Sequence, residues 1–230
     1  VKPSDTTTTP ELESTTAKPV DSGGDGGGGV MNRIFGLNCG GETITDETGV
    51  GWVSDRGFIS SGQSFNINPT NMFRGAPQIY SSERYAGWNE NIMVYTFSVP
   101  NATKYLVRLH FVETFYNIIG SRVFSISINS EMVTPELDTL ATVGKSAVLI
   151  RDIVVSGAHR LGGTVSVMLK RSDHVDVTDA PAINAIELYS VPDNYNPDNV
   201  PDGQITSSPV SPTSTSPGTT AQTVYSQHTC

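Results

Sequence analysis

The sequence predicts an all-β protein, an antiparallel two-sheet sandwich of the jelly-roll kind flanked by disordered tails. Three observations predict it: apolar and polar residues alternate along several segments, turn residues separate those segments at short intervals, and helical and strand segments do not alternate. Strict alternation gives a strand one buried and one wet face, which is typical of antiparallel sheets. Many short strands with frequent turns favour a sandwich or jelly roll.

The alternation is clearest in five segments, which cover residues 92–99, 104–112, 122–129, 164–170 and 182–189. Weaker strand patterns at 33–38, 50–53 and 147–155 bring the predicted number to about eight. In the second segment, Tyr105 and Leu109 share the predicted inner face, and we expect Arg108 and His110 to point into water. A short helix is predicted over residues 137–144, where Gly144 is placed to end it.

The two ends of the chain predict disorder. Residues 1–30 combine a threonine run with a glycine cluster, and residues 191–230 place prolines among serines and threonines. Such segments cannot bury enough apolar surface to offset the ordering of the chain. The second tail resembles an O-glycosylated stalk, although a solvated cytosolic tail has the same composition. Residues 31–190 remain as one globular domain, long enough for a sizeable core.

Composition and charge limit the possible partners. The 230 residues are 37% hydrophobic and only 16% charged, with a net charge of −9, which fits an extracellular β-protein and argues against nucleic-acid binding. The tails supply −6 of that charge (five acids and two lysines in 1–30, three acids in 191–230), which leaves −3 for 31–190. We therefore do not expect the domain to select partners by charge.

The cysteines and the chain ends carry little further information. Cys39 and Cys230 are too few for a disulfide framework. We expect a buried Cys39 and a Cys230 whose partner lies outside this fragment, with a bond between the two left open. No apolar run of about 18 residues occurs, so we expect no membrane insertion. No signal peptide opens the chain, and we expect a mature form or a piece of something longer.

Candidate catalytic and metal-binding residues are sparse. His110 and Glu113 would point to opposite faces of one strand, so we expect a surface histidine and an edge glutamate. Glu113 with Asp179 is the one carboxylate pair considered for glycoside hydrolysis, which is kept as a minor alternative. Asp173, Asp176 and Asp179 recur every third residue but lack the glycine-pivoted loop of a calcium site. We predict no enzyme, no metal and no cofactor.

Aromatic residues are concentrated in predicted loops. They are Phe58, Tyr80, Tyr85, Trp88, Phe115 and Tyr116. The apolar face of a hexose stacks on such rings, and a tyrosine hydroxyl also serves the sugar hydroxyls. A carboxylate such as Asp179 accepts hydrogen bonds from two neighbouring hydroxyls. Phe115 and Tyr116 are adjacent, so a strand cannot bury both of them unless the chain leaves the sheet there. This combination predicts a carbohydrate-binding site.

Four segments, in this order, resemble the malectin and malectin-like family. They are residues 37–41 (Leu-Asn-Cys-Gly-Gly), 79–85 (Ile-Tyr-Ser-Ser-Glu-Arg-Tyr), 109–116 (Leu-His-Phe-Val-Glu-Thr-Phe-Tyr) continued by 122–126, and 179–187 (Asp-Ala-Pro-Ala-Ile-Asn-Ala-Ile-Glu). The helical stretch at 137–144 also matches, and the resemblance covers about residues 33–190. It implies a jelly-roll sandwich of the galactose-binding-like kind.

The resemblance also implies site residues. The family's binding aromatics correspond to Tyr85, Phe115 and Tyr116, although the adjacent pair runs Tyr-Phe in malectin and Phe-Tyr here. The binding aspartate of the family corresponds to Asp179, here followed by Ala-Pro instead of Asn-Pro. A further tyrosine of the family has no clean match. Phe58 is the nearest candidate, and it lacks the hydroxyl.

What the resemblance implies about function is a lectin-like module. Animal malectin is a lectin of the endoplasmic reticulum that binds glucose–glucose units of N-glycans, while plant malectin-like domains also bind peptides. We therefore expect a glucose-type disaccharide or oligosaccharide as ligand, or alternatively a protein or peptide partner with no sugar ligand. The sequon at Asn101, on a predicted turn, favours N-glycosylation and an extracellular or secretory-pathway location.

Overall fold

The computed structural model describes residues 31–87, 90–100, 102–156, 163–174 and 180–196. Within these ranges the chain forms thirteen strands and very little helix. Cys230 and almost all of both predicted tails lie outside the described residues, so the expectations about them remain predictions.

The strands are β1 (Asn32–Asn38), β2 (Ile44–Thr45), β3 (Gly51–Ser54), β4 (Gln63–Asn66), β5 (Ser82–Tyr85), β6 (Ile92–Ser98), β7 (Lys104–Val112), β8 (Phe124–Ile128), β9 (Glu131–Leu137), β10 (Val148–Ser156), β11 (Thr164–Arg171), β12 (Ala182–Ile183) and β13 (Ala185–Val191). Three single-turn 3₁₀ helices span Asp55–Gly57, Pro69–Asn71 and Gln78–Tyr80, and helix α1 spans Thr139–Val143.

The strands form three sheets. The largest has the order β10-β7-β13-β1-β3-β2, the second β6-β11-β8-β9, and a small third sheet β12-β5-β4. All paired neighbours are antiparallel except β1 and β3, which run parallel over two residues. The predicted antiparallel all-β fold is therefore confirmed. The short strands β2, β4, β5 and β9 were not predicted, because they carry no clear alternation.

The core lies between the two large sheets. Strand β7 contributes Tyr105, Val107, Leu109 and Phe111, all fully or almost fully buried, as their spacing predicted. The facing sheet contributes alternate residues of β6, β8 and β11, among them Tyr95 and Ile126. Each fully buried side chain of this size stabilises the fold by roughly 1.5–3 kcal/mol, so this double layer dominates stability.

The outer face of β7 differs from the expectation. Arg108 and His110 were predicted to face water, and they are 5% and 2% exposed. His110 lies between the hydroxyl of Tyr80, 2.8 Å from its Nδ1, and Oε1 of Glu187, 3.1 Å from its Nε2. Arg108 makes two bonds of 2.7 Å to the Asp152 carboxylate. The prediction of a surface histidine is wrong, because other segments cover this face and satisfy its polar atoms.

Helix α1 confirms the helical prediction at 137–144. The Asp138 side chain caps its N-terminus by accepting a hydrogen bond from the Ala141 N–H at 3.0 Å. Gly144 ends it with a φ of 88°, in the left-handed region that favours glycine. None of the helices in the described ranges has the length and apolar character that a bilayer-spanning segment needs.

The buried Asn184 is hydrogen-bonded to several chain segments at one end of the sandwich. Asn184 Oδ1 accepts from the Val112 N–H at 2.8 Å, and its Nδ2 donates to the Ser82 carbonyl at 2.9 Å. Its own N–H donates to the His110 carbonyl at 3.0 Å, and its carbonyl accepts from the Cys39 N–H at 2.9 Å. One residue therefore joins the ends of β1 and β7 to β5, and this end carries the candidate site.

Candidate functional site

The chain leaves the large sheet after Val112 and displays two adjacent aromatic side chains. Phe115 is 62% exposed and Tyr116 is half-buried. Their rings meet edge to face, with centroids 5.0 Å apart and an interplanar angle of 77°. Because neither residue lies in a strand, alternation no longer forces one of them into the core, and the Phe115 ring is open to solvent.

The carboxylate of Glu113 lies beneath this pair. Its Oε1 accepts hydrogen bonds from the backbone N–H groups of Phe115 at 2.8 Å and Tyr116 at 2.9 Å. Its Oε2 lies 3.2 Å from Nη1 of Arg122. Glu113 is only 3% exposed, so the expected edge glutamate is in fact buried. The physical reason is that backbone donors and a guanidinium group compensate its loss of hydration.

Arg122 connects the loop to the small sheet. Its Nη1 also lies 3.7 Å from Oε2 of Glu83, which is buried on β5. Its guanidinium carbon lies 5.3 Å from the centroid of the Tyr116 ring, within the range of a cation–π contact. Glu83 and Tyr85 are two positions apart on β5 and so share one face of that strand. The arginine therefore links the aromatic pair to the face that carries Tyr85.

Tyr85 is half-buried at the end of β5. Its hydroxyl donates to Oε1 of Gln63, its partner on β4, at 2.8 Å. On the other side Tyr85 is paired with Ala182 of β12, and the next N–H, that of Ala86, donates to the Pro181 carbonyl at 3.0 Å. The structure thus brings Tyr85 next to the segment that follows Asp179.

Asp179 itself lies outside the described residues, as do Asp176, Trp88 and Asn101. Asp179 directly precedes Ala180, which is buried, and the residues after it pair with β5. The role of Asp179 in the site remains a prediction.

Phe58 has a different environment. It follows the first 3₁₀ helix, and its ring packs against Phe35 at a centroid distance of 5.5 Å and Phe97 at 5.7 Å. It is half-buried against the main core. Core packing accounts for this ring, because its described aromatic contacts are with these two core residues. Tyr80 is 4% exposed, and its hydroxyl lies 2.8 Å from Nδ1 of His110 on the outer face of the large sheet.

The far end of the loop is anchored by a second carboxylate. Oδ2 of Asp138 accepts from the Gly120 N–H at 2.6 Å, while its Oδ1 caps α1. Between the two anchors the loop exposes Ile118 and Ile119, at 73% and 67%. The result is a loop with a fixed backbone and an apolar tip beside its aromatic pair.

A separate open groove, of about 570 Å³, lies on the outer face of the four-stranded sheet. Its described lining residues are mostly charged and polar, with Glu136, Lys170 and His174 among them and no Phe, Tyr or Trp ring. Asp173, at its rim, pairs with Lys170 at 2.8 Å. Without a ring for the apolar face of a sugar, this groove suits carbohydrate less well than the loop end does.

Among the residues that the structure describes, no group of three or more His, Cys, Asp or Glu side chains is placed to hold a metal ion. Burial raises the pKa of the Cys39 thiol well above its usual value, so this free, buried cysteine is un-ionised and unreactive. A buried Cys39 was expected.

A family model for the malectin domain matches residues 33–186, more than half of the chain. The chain belongs to the malectin domain family. Among curated relatives, the receptor-like protein kinase FERONIA of Arabidopsis thaliana is 29% identical over 55% of this chain and 17% of its own length. Malectin of Danio rerio is 25% identical over 49% of this chain and 40% of its own. This malectin domain therefore spans less than half of each relative.

Solved structures show the same fold. The ANX2 ectodomain from Arabidopsis thaliana superposes with a TM-score of 0.63 at 24% identity, over 70% of this chain and 50% of that one. FER, in its complex with the plant peptide RALF23 and LLG2, gives a TM-score of 0.62 at 26% identity, over 71% and 50%. The fold of this malectin domain is thus that of malectin-like ectodomains.

Sequence reasoning missed the residues that orient the aromatic groups of this malectin domain. Gln63 and Glu83 lie on strands too short to show alternation, and Arg122 was recognised only as part of a motif. Glu113 was expected to be an edge glutamate, with a catalytic role as a minor alternative. One usable signal was present: Glu113 follows the last residue of β7 and precedes the aromatic pair by two positions, at a point where the chain leaves the strand and its backbone N–H groups need new acceptors.

Proposed function

We propose that this malectin domain binds carbohydrate at the loop end of its sandwich, with a glucose-type disaccharide or oligosaccharide as the ligand. One observation carries the proposal: the exposed Phe115 ring and the half-buried Tyr116 are held on an anchored loop that Arg122 links to the strand of Tyr85. Membership of the malectin domain family supports the same ligand class.

The chemistry of the site suits a hexose. The Phe115 ring offers a stacking surface for the apolar face of a pyranose. The hydroxyl of Tyr85 donates to Gln63 and keeps lone pairs that accept from a sugar hydroxyl. Asp179 would accept from two further hydroxyls. One or two stacking contacts and a few hydrogen bonds, each of about 1 kcal/mol, give a dissociation constant roughly between millimolar and micromolar.

Binding is a better proposal than hydrolysis. Both oxygens of Glu113 are already engaged, one by two backbone N–H groups and the other by Arg122. A glycosidase carboxylate has to reach the scissile bond or a water molecule. We therefore propose a non-catalytic module.

Titration of the domain with maltose, nigerose and cellobiose, followed by calorimetry, tests the proposal. We expect one of these sugars to bind, and Phe115→Ala, Tyr85→Ala and Asp179→Ala each to weaken binding about tenfold, the equivalent of about 1.4 kcal/mol. Met132→Ala is the matched control, because Met132 is also apolar and 61% exposed but lies on the other sheet. No binding by the wild type, or equal binding by all three site variants, contradicts the proposal.

A second candidate is a protein or peptide partner without a sugar ligand. The observation that favours it is the pair Ile118 and Ile119, whose exposed aliphatic side chains offer sugar hydroxyls nothing to bond with. Exposed apolar patches of this kind mark protein contacts. The related FER was solved with a peptide bound in its complex. The double variant Ile118→Ser/Ile119→Ser separates the candidates: it keeps sugar binding under the first and loses its protein partner under the second.

We also propose a secretory or extracellular location, supported by relatives that are receptor-like kinases and by the sequon at Asn101. The flanking Pro100 and Thr103 are exposed, so an attached glycan would be accommodated. Secretion from a eukaryotic host should give a product whose mass falls on treatment with an N-glycosidase. Asn101→Gln should abolish that change, and an unglycosylated wild type would contradict the proposed modification.

A further inference from the structure

We infer that Glu113 is a positioning residue: it sets the geometry of the Phe115–Tyr116 pair through their backbone amides and, through Arg122, sets the pair relative to β5. The role in ligand binding rests on the proposed function. The anchoring of the loop backbone by Glu113 does not rest on the proposed function, and it can be measured without any ligand.

The first step concerns the backbone of the loop. Phe115 and Tyr116 lie beyond the end of β7, outside the strand pairing that satisfies the N–H groups of that strand. Oε1 of Glu113 accepts from both, at 2.8 and 2.9 Å. A buried carboxylate is a strong acceptor for such donors, because the bonds are charge-assisted and little water competes. The direction in which both rings leave the backbone is therefore set by this one side chain.

The second step concerns the other oxygen of the same carboxylate. Oε2 faces Nη1 of Arg122 at 3.2 Å, so Glu113 has donors on both sides. A carboxylate has acceptors at both oxygens, whereas the amide of glutamine has one acceptor and one donor group. In Glu113→Gln, one side would therefore place an N–H group against another donor. The site requires a carboxylate and not merely a side chain of that size.

The third step concerns the connection to β5. The same Nη1 of Arg122 lies 3.7 Å from Glu83, and the guanidinium carbon lies 5.3 Å from the Tyr116 ring. Arg122, Glu83 and Glu113 are 8%, 4% and 3% exposed, so solvent screens this bridge poorly. Tyr85 projects from the face of β5 that carries Glu83. The bridge thus relates two aromatic groups from separate parts of the chain, and a sugar would meet these groups in a fixed relative position.

The experiment measures amide hydrogen exchange and maltose binding on the same set of proteins. In the wild type we expect the Phe115 and Tyr116 amides to exchange far more slowly than in an unstructured peptide of the same sequence. In Glu113→Ala, which removes the acceptor for both N–H groups, we expect that protection to be lost and maltose affinity to fall about tenfold. In Glu113→Gln/Arg122→Gln, the new residue at 122 can accept from the amide at 113, and we expect both properties to recover. A general structural role would not predict that recovery.

The outcomes separate the inference from the proposed function. If the Phe115 and Tyr116 amides of the wild type exchange as fast as in an unstructured peptide, the anchoring is overturned. This measurement does not depend on whether any variant folds. Protection that persists in Glu113→Ala overturns it as well, and so does wild-type maltose affinity in a Glu113→Ala variant that has lost protection. If the wild type binds none of the three sugars, the proposed function fails, and the exchange results alone then support or overturn the anchoring by Glu113.

Discussion

Asp55 accepts two hydrogen bonds from the guanidinium group of Arg84, at 2.9 Å from Nε to Oδ2 and 2.5 Å from Nη2 to Oδ1. The Tyr95 hydroxyl and the Gly40 N–H also donate to Oδ2, at 3.0 and 3.1 Å. The bond to Asp55 raises the pKa of Arg84 and keeps it charged. This ion pair ties the first 3₁₀ helix and β6 to β5, the strand that carries Tyr85.

Arg84→Ala should lower the free energy of unfolding by about 3–5 kcal/mol, because it leaves the fully buried Asp55 carboxylate without its countercharge. Urea denaturation measures the change. Arg56→Ala is the control, since the Arg56–Glu42 pair has side chains 69% and 70% exposed and should contribute less than about 1 kcal/mol. Similar small effects for both variants would show that the buried pair does not hold β5.

Gly40→Ala should be strongly destabilising, and more so than Gly49→Ala. Both glycines have positive φ, 71° and 83°, which costs an alanine about 1–2 kcal/mol. At Gly40 a Cβ would also lie 2.0 Å from the Glu83 carbonyl oxygen, whereas at Gly49 nothing lies within 4 Å. Thermal unfolding of the two variants checks this difference. Equal melting temperatures would mean that the backbone at Gly40 moves away from β5 at little cost.

The pH dependence of stability should contain a contribution from Glu187. Burial opposes its ionisation, but the hydrogen bond and attraction from His110, the Tyr189 hydroxyl and the charge of Arg33 outweigh burial and lower its pKa from 4.5 to about 2. A lowered pKa in the folded state stabilises the protein fully above pH 4.5, and this contribution is lost as the pH falls toward 2. The shift corresponds to roughly 3 kcal/mol.

Urea denaturation of the wild type and Glu187→Gln at pH 6, 4 and 3 measures that contribution. We expect the wild type to be the more stable protein at pH 6 and the difference between the two to shrink as the pH falls. Parallel pH profiles would indicate that Glu187 titrates in the folded protein as it does in the unfolded chain.

Asn184→Ala should destabilise the domain by about 2–5 kcal/mol, because it leaves the buried Val112 N–H and Ser82 carbonyl without partners. The loss should be largest at the loop end, since both groups belong to strands that lead there. Hydrogen exchange of the Val112 amide reports it directly. Asn129→Ala is a comparison in a turn, where one side-chain bond to the Ser166 N–H is lost. An unchanged Val112 exchange rate would exclude Asn184 as the partner that protects it.

The main strands could be predicted from the sequence, because an inner face packed only with apolar side chains leaves a period of two. Strands β6 and β11 show this fully, with their polar positions at least partly exposed. Strand β7 shows where the rule stops. Its inner residues were assigned correctly, but Arg108 and His110 on the outer face are buried by side chains distant in the chain. A pattern within one strand does not reveal what packs on its other face.

Strand β5 could not be predicted for a related reason. Its sequence, Ser-Glu-Arg-Tyr, reads as a polar loop, yet Arg84 and Glu83 are buried because Asp55 and Arg122 neutralise them. Of the candidate site, the sequence indicated that two adjacent aromatics at a strand end would not both be buried within a strand, but not which of them would be exposed. Asp179 remains a prediction. The orienting roles of Gln63 and Glu113 depend on hydrogen-bond geometry that residue types alone do not determine.

The loop from Glu113 to Gly120 is held at both ends through backbone N–H groups, those of Phe115 and Tyr116 by Glu113 and that of Gly120 by Asp138. The exposed side chains of Ile118 and Ile119 take no part in these three bonds, whereas the Asn117 side chain accepts a hydrogen bond from Lys145. Exchanging the two isoleucines should therefore leave the sandwich and the path of the main chain in place. For protein engineering this makes residues 118 and 119 a place to graft new recognition groups next to an existing aromatic platform, and natural divergence at these two positions would change ligand choice.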